Sequence, residues 1–221
     1  MFVGVVGLFS SFSEEFSDGF NLVANDKKLS SSLGDKFGLS GLSLILSKAL
    51  CRGSVESPIG ESNKPEANAL AVGLEFNFPL KPFATQQVAQ LSSPELPFKI
   101  KSIQELEGIM NGKIDLFFEH NQKFYILDWK SNFLGAQVED YQSEQVRVAM
   151  EENNYHLQYL IYTIAVCRYL ALRKPDFNYQ RDFGGVIYLF VRGVRTNSST
   201  GIFYHKPDES LLKAVRGIID P

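Results

Sequence analysis

Cysteine, histidine and tryptophan are scarce in this chain. Two cysteines, Cys51 and Cys167, among 221 residues exclude a disulfide framework and a cysteine-based zinc site. Three histidines, His120, His156 and His205, offer no zinc-finger spacing. Reduced thiols and a cytoplasmic setting are the matching expectation. No run approaches the ~18–20 apolar residues of a membrane span, so no membrane association is expected. The apolar opening, residues 1–9, lacks a basic flank and is followed by Glu14 and Glu15. It reads as a core segment rather than a signal peptide. A surplus of positive charge is missing too: 22 Lys+Arg stand against 25 Asp+Glu, for a net charge of -3. That excludes a protein that coats nucleic acid by bulk charge. It leaves room for a nucleic-acid enzyme with a local groove.

What remains is ordinary globular composition, 44% apolar and 21% charged, in a chain long enough to bury its own core. Residues 1–68 are rich in Ser and Gly and weakly periodic. A helix is expected over 38–51, where Leu39, Leu42, Leu46 and Leu50 recur at spacings of three and four. A loop is expected over 52–68, broken by Pro58, Gly60 and Pro65.

From residue 69 the pattern strengthens. Val72, Leu74, Phe76 and Phe78 alternate with Gly73, Glu75 and Asn77, as in a half-buried strand that stops at Pro79 and Pro82. A mixed connection is expected over 83–107. Residues 112–119 and 123–130 read as a β-hairpin around His120-Asn121-Gln122. Helices are expected over 137–150 and Tyr155–Arg173, parted by Asn153-Asn154 and ended by Pro175. The run 184–194 suits a central strand. A short strand over 201–204 and an amphipathic helix over Glu209–Ile219 complete a mixed sheet flanked by helices, an α/β fold.

The hairpin concentrates chemistry. A turn centred on Asn121–Gln122 puts Asp115 opposite Asp128, and opposed residues share a face with Cβ atoms about 4.5–5.5 Å apart. Asp128 and Lys130, two apart on one strand, share that face as well. A one-residue slip would break the arrangement. Two facing carboxylates in apolar strands are costly unless a cation joins them. Oxygen-only ligation with room for water suits Mg²⁺. A metal so held polarises a phosphoryl oxygen and activates water, and Lys130 would stabilise the developing charge. The pattern points to metal-assisted phosphodiester hydrolysis. A plain Asp128–Lys130 ion pair on a solvated strand is the competing explanation. Gln158 and Tyr162, one helical turn apart with Tyr155 on the same side, need polar partners in an otherwise apolar helix. They would point at this patch if the helix packs beside the hairpin.

Four ordered blocks carry a resemblance: GKID at 112–115, ILDWKSN at 126–132, YHLQYLIYT at 155–163 and FGGVIYLFVRGV at 183–194. Over residues 70–218 the chain resembles the C-terminal nuclease domain of RecB, the beta subunit of exodeoxyribonuclease V, in the PD-(D/E)xK nuclease superfamily. The resemblance implies a restriction-endonuclease-like α/β core over 69–221, with residues 1–68 as a helical and loop segment packed on it. It implies an Mg²⁺-dependent deoxyribonuclease of double-strand-break repair and recombination. Asp115 and Asp128 would be the metal ligands, Lys130 the catalytic lysine, and Gln158 and Tyr162 the Gln-x-x-x-Tyr motif. Glu75 falls at an acidic family position, from which it would back the ligands; on its strand it would otherwise face solvent. The implied partners are DNA ends, RecC- and RecD-like subunits with a helicase motor, and a RecA-type recombinase.

Two features depart from the family. Its N-terminal metal-ligating histidine has no counterpart, because residues 1–68 contain no histidine; either the metal site is incomplete or Glu14 or Glu15 substitutes. No G-x-x-x-x-G-K-[ST] loop occurs in the 221 residues, so motor function would come from elsewhere. These departures keep a second expectation in view, a weak or inactive nuclease-like module that binds partner subunits or a recombinase. Arg147, Arg168, Arg173, Lys174, Arg181 and Arg192 are candidate phosphate contacts.

Overall fold

The computed structural model describes residues 67–221, except 98, 101, 196 and 197. The expected helix over 38–51 and the expected loop up to residue 66 lie outside the described residues, and the last two residues of that loop are instead the start of a strand. Five strands form one mixed sheet in the order β1-β2-β3-β4-β5. They are β1 (Ala67–Ala84), β2 (Glu105–His120), β3 (Lys123–Lys130), β4 (Phe183–Phe190) and β5 (Ile202–His205). The helices are α1 (Thr85–Ala89), α2 (Ser143–Glu152), α3 (Tyr155–Arg173), α4 (Tyr179–Asp182) and α5 (Glu209–Ile219). β1–β2–β3 is an antiparallel meander, β3 and β4 run parallel, and β5 returns antiparallel. A parallel neighbour needs a crossover, and α2, α3 and α4 supply it.

The hairpin forms in the expected register, from His120↔Lys123 through Leu116↔Leu127. Asn121 and Gln122 both take positive φ, 49° and 60°, the backbone of a two-residue primed turn whose twist matches the strands. β1 does not stop at Pro79, which pairs with Ile109. As β1 is the outer described strand, a missing N–H on its open side costs no ladder bond. Pro82 falls where the register shifts between Leu80 and Phe83. β2 accordingly starts at Glu105 rather than near 112, with α1 in the connection.

The single helix expected over 137–150 is two pieces. A 3₁₀ turn over Val138–Tyr141 precedes α2, with Gln142 extended between them. Tertiary anchoring wins over local propensity here. The buried Tyr141 hydroxyl accepts from the Leu134 amide at 3.2 Å, and the Tyr141 carbonyl accepts from the Gly201 amide at 2.7 Å. β4 ends at Phe190, not 194, and the Val191 amide instead donates to the Lys130 carbonyl at 2.9 Å.

α3 has the expected limits. Asn154, at φ 55°, reverses the chain before it, and its side chain bonds both backbone groups of Lys99. Tyr159, Leu160, Ile164, Val166 and Leu170 are buried along α3. They share one apolar core with Phe117 and Ile126 of the hairpin and with Val186 and Tyr188 of β4. Every residue of β4 is buried, as a strand covered on both faces requires. α5 packs on the same core beside α3 and β1, with its Arg216 bonded to Asp220 just past its end and Asp220 also bonded to Arg168 of α3.

Two outcomes follow from this packing. Gln122 holds a backbone conformation that suits glycine, so Gln122→Gly should raise stability by about 0.5–1 kcal/mol, read as a higher urea midpoint at unchanged slope. His156 is buried against Tyr159 and Phe203. Burial, with the neighbouring His205 adding to it, pushes its pKa down to about 4. Nearby Glu151 opposes this and Arg147 adds slightly to it. The unfolded chain takes up this proton near 6.5, so stability is fully present above about pH 6.5 and is lost as pH falls toward 4. Denaturant titrations across that window should show the loss, and His156→Phe should flatten it.

Candidate active site

The hairpin, α3 and β4 bring their polar residues to one place. Asp128 and Lys130 sit near the end of β3 and are 4% and 8% exposed. The Lys130 Nζ lies 2.5 Å from an Asp128 carboxylate oxygen. It also donates to the Gln158 side-chain oxygen at 2.9 Å. That same oxygen accepts from the Tyr188 hydroxyl at 3.0 Å, while the Gln158 amide donates to the Tyr162 hydroxyl at 3.2 Å. Gln158 therefore has its orientation fixed from three sides.

Asp115 lies just before the point where β2 and β3 pair. Its carboxylate accepts the Trp129 amide at 2.9 Å, standing in for a strand carbonyl. Local geometry allows this. Gly73, at φ +64°, falls between the paired positions Val72↔Leu116 and Leu74↔Ile114. Ile114 and Phe117, three apart, both enter the same core cluster. The alternation of β2 thus breaks at Asp115, which turns its carboxylate toward β3.

The electrostatics follow from burial. Burial, and then the Asp128 charge, push the Asp115 pKa up to about 7. The Trp129 amide, Lys130 and Lys113 pull the other way but do not win. Burial also holds Asp128 above the usual carboxylate range despite its contact with Lys130. Tyr162 is held well above the usual phenol range by burial and then by the Asp128 and Asp115 charges. Two neighbouring carboxyls that resist ionisation together are a site short of positive charge.

This donor set fits a hard divalent cation. Mg²⁺ commonly takes one or two carboxylates and completes its shell with water and substrate phosphate. Asp115 and Asp128 would hold it. Among the described residues there is no group of three or more His, Cys, Asp or Glu side chains that could hold a metal, so no further protein ligand joins them there. Glu14 and Glu15 lie outside the described residues. Glu75 is directed to solvent, 80% exposed in its side chain, and faces Lys113 at 3.9 Å.

Reading the sequence missed Tyr188 and Asn132 here and gave Tyr155 only a place on the same helix side as Gln158 and Tyr162. Tyr155 places its ring 3.9 Å from the Lys130 Nζ, and Tyr188 places its ring 4.9 Å away. Asn132 accepts the Tyr155 hydroxyl at 3.0 Å. The signal for Tyr155 was its helical spacing from Gln158 and Tyr162. Tyr188 pairs with Asp128 across the parallel strands, a register that a single sequence does not reveal. Most of the scattered basic residues are occupied elsewhere. Arg147 pairs with Glu144 and Glu151, Arg168 with Asp220, Lys174 with Asp176 and Arg181 with Asp182. Arg173 lies against the Tyr169 ring. Arg192 instead donates to the Ser131 carbonyl at 2.9 Å, on the loop that follows Lys130. No described helix is long and apolar enough to cross a membrane.

No family model matches the chain. Comparison with curated proteins does find relatives. The chain is 43% identical over 123 residues to the RecBCD enzyme subunit RecB of Haemophilus influenzae, covering 56% of this chain and 10% of that protein. It is 34% identical over 173 residues to RecB of Escherichia coli, covering 72% of this chain and 14% of that protein. RecB of Buchnera aphidicola from Acyrthosiphon pisum is 38% identical over 157 residues, covering 66% of this chain and 13% of that protein. The chain thus spans about a tenth to a seventh of the length of these relatives.

If the two carboxylates repel, Asp115→Asn should not lower the thermal midpoint of the metal-free protein, because the amide oxygen can still accept the Trp129 N–H. The same substitution should remove any rise in that midpoint on adding Mg²⁺. Thermal scans with and without Mg²⁺ read both.

Proposed function

We propose that this chain, a homologue of RecB, is a deoxyribonuclease domain that hydrolyses DNA phosphodiester bonds with Mg²⁺. In this reading it serves the exodeoxyribonuclease V type of enzyme in double-strand-break repair and recombination. The single observation that carries the reading is the convergence of Asp115, Asp128, Lys130 and Gln158 on one buried patch. Burial and the neighbouring Asp128 hold the Asp115 carboxyl above its usual range there, although Lys130 pulls the other way. A solvated surface ion pair, the competing explanation, would not be buried, nor would it sit beside a second carboxyl held above its usual range.

The residues divide the work. Asp115 and Asp128 would hold the cation, which when bound supplies Lewis-acid polarisation and a more acidic water. Lys130 carries its ammonium where negative charge grows on the phosphate, and a desolvated ammonium stabilises such charge strongly. Gln158 sets the ammonium's direction through its side-chain oxygen, and Tyr162 and Tyr188 keep Gln158 from turning. Glu75, exposed and opposite Lys113, takes no part in the step.

The relatives are named as subunits of a RecBCD enzyme. We extend that setting to this chain: RecC- and RecD-like companions, a helicase motor, DNA ends as substrate, a cytoplasmic location, and a RecA-type recombinase as a contact. Residues 1–68 would pack on the core as an N-terminal segment.

The test is direct. Linear single- and double-stranded DNA should be degraded only when Mg²⁺ is present, and Asp128→Ala and Lys130→Ala should each slow this by about 100-fold or more. Unchanged degradation by Asp128→Ala would sink the site. A parent protein that neither cleaves DNA nor binds Mg²⁺ would favour the partner-binding module instead.

A further inference from the structure

The Lys130 ammonium has three N–H donors and two hydrogen-bond acceptors in reach, Asp128 and Gln158. What lies along its remaining side is aromatic. The Tyr155 ring centroid is 3.9 Å from Nζ, inside the range in which a cation gains from a ring face. The Tyr188 ring lies behind at 4.9 Å. Tyr155 is the first residue of α3, one turn before Gln158, so the same helix presents both the ring and the oxygen. The ring has an anchor of its own, since the Tyr155 hydroxyl donates to Asn132 at 3.0 Å. Asn132 lies two residues after Lys130 on the loop leaving β3.

We propose that Tyr155 is a positioning residue that aims the Lys130 ammonium through the face of its ring. The inference rests on the nuclease reading for its kinetic consequence but not for its geometry. A π face attracts the ammonium without accepting a strong directional hydrogen bond. It therefore narrows the lysine's freedom without competing with Asp128 or with a phosphate oxygen for a proton. A lysine has four rotatable bonds and loses much entropy when fixed. Without the ring it would sample positions from which it cannot reach the reacting phosphate. The ring thus supplies orientation, the part of catalysis most sensitive to small displacements.

The experiment compares Tyr155→Phe, which keeps the ring and loses the hydroxyl, with Tyr155→Leu, which loses the ring. Tyr155→Leu should lower kcat about tenfold to thirtyfold with KM within about twofold. Tyr155→Phe should stay within about threefold of the parent. In protein labelled with ¹³C-lysine, the Lys130 ε-methylene protons should be shifted upfield by the ring current. That signal is assigned by its loss in Lys130→Met. It should persist in Tyr155→Phe and move back in Tyr155→Leu. An unaltered kcat in Tyr155→Leu, or a Tyr155→Phe as slow as Tyr155→Leu, overturns the proposal. If Tyr155→Leu does not fold, the shift in the parent and in Tyr155→Phe still decides, and its absence there overturns the proposal. If the parent cuts no DNA, the nuclease reading fails by itself while the resonance still tests the ring.

Discussion

An ammonium placed inside a sheet must be repaid for the water it leaves, and in this fold that condition falls on Lys130. Its compensation comes from three separate stretches of chain: Asp128 on its own strand, Gln158 and Tyr155 on α3, and Tyr188 on β4. Removing one partner of such a buried pair typically costs about 3–5 kcal/mol, because the other charge is left uncompensated. The position of α3 over the sheet is tied to this requirement as well as to its apolar face. Tyr162 serves both ends, bonding Gln158 and packing edge-on against Phe76 of β1 at 5.8 Å.

Register is the second constraint. Asp115 reaches β3 only because the hairpin turns at Asn121–Gln122 and at no neighbouring pair. A slip by one residue would carry Asp128 and Lys130 to the opposite face. The turn tolerates two residues of positive φ without glycine, one of them an asparagine, which adopts that region more readily than most. The positive φ of Gly73 on β1 and the break in β2's alternation between Ile114 and Phe117 accompany a carboxylate that accepts a strand amide. Strand irregularities are common beside active sites because they re-aim a side chain.

Much of this was legible in the residues. Period-two alternation located β1 and, in part, the hairpin, a continuous apolar run located β4, and the limits of α3 and α5 follow from Asn154, Pro175 and the apolar spacing. The hairpin register needed only the turn, but it pairs no further than Leu116 with Leu127, and Asp115 reaches β3 through the Trp129 amide instead. Other parts were not legible for physical reasons. Pro79 does not end β1, because an outer strand can lose a donor on its open side. The helix expected over 137–150 breaks because Tyr141 is held by Leu134 and Gly201, contacts distant in sequence. Tyr188 was invisible as a site residue because parallel pairing with Asp128 is set by a crossover of some length, not by a turn. Alternation alone placed Glu75 toward solvent, and there it lies opposite Lys113.

The parallel pairing of β3 with β4 also governs when the site can come into being. Asp115, Asp128 and Lys130 belong to a hairpin whose contacts are local, and such hairpins form within microseconds. Tyr188 arrives only after more than fifty further residues have been threaded through α2, α3 and α4, a non-local closure that is intrinsically slow. Until it does, the β3 edge that carries Asp128 and Lys130 stays open to water, and both charges keep their hydration. Desolvation of the lysine thus waits on the pairing of β4 beside β3. A nascent or partly unfolded chain would hold these residues in sequence without holding them in a reactive environment.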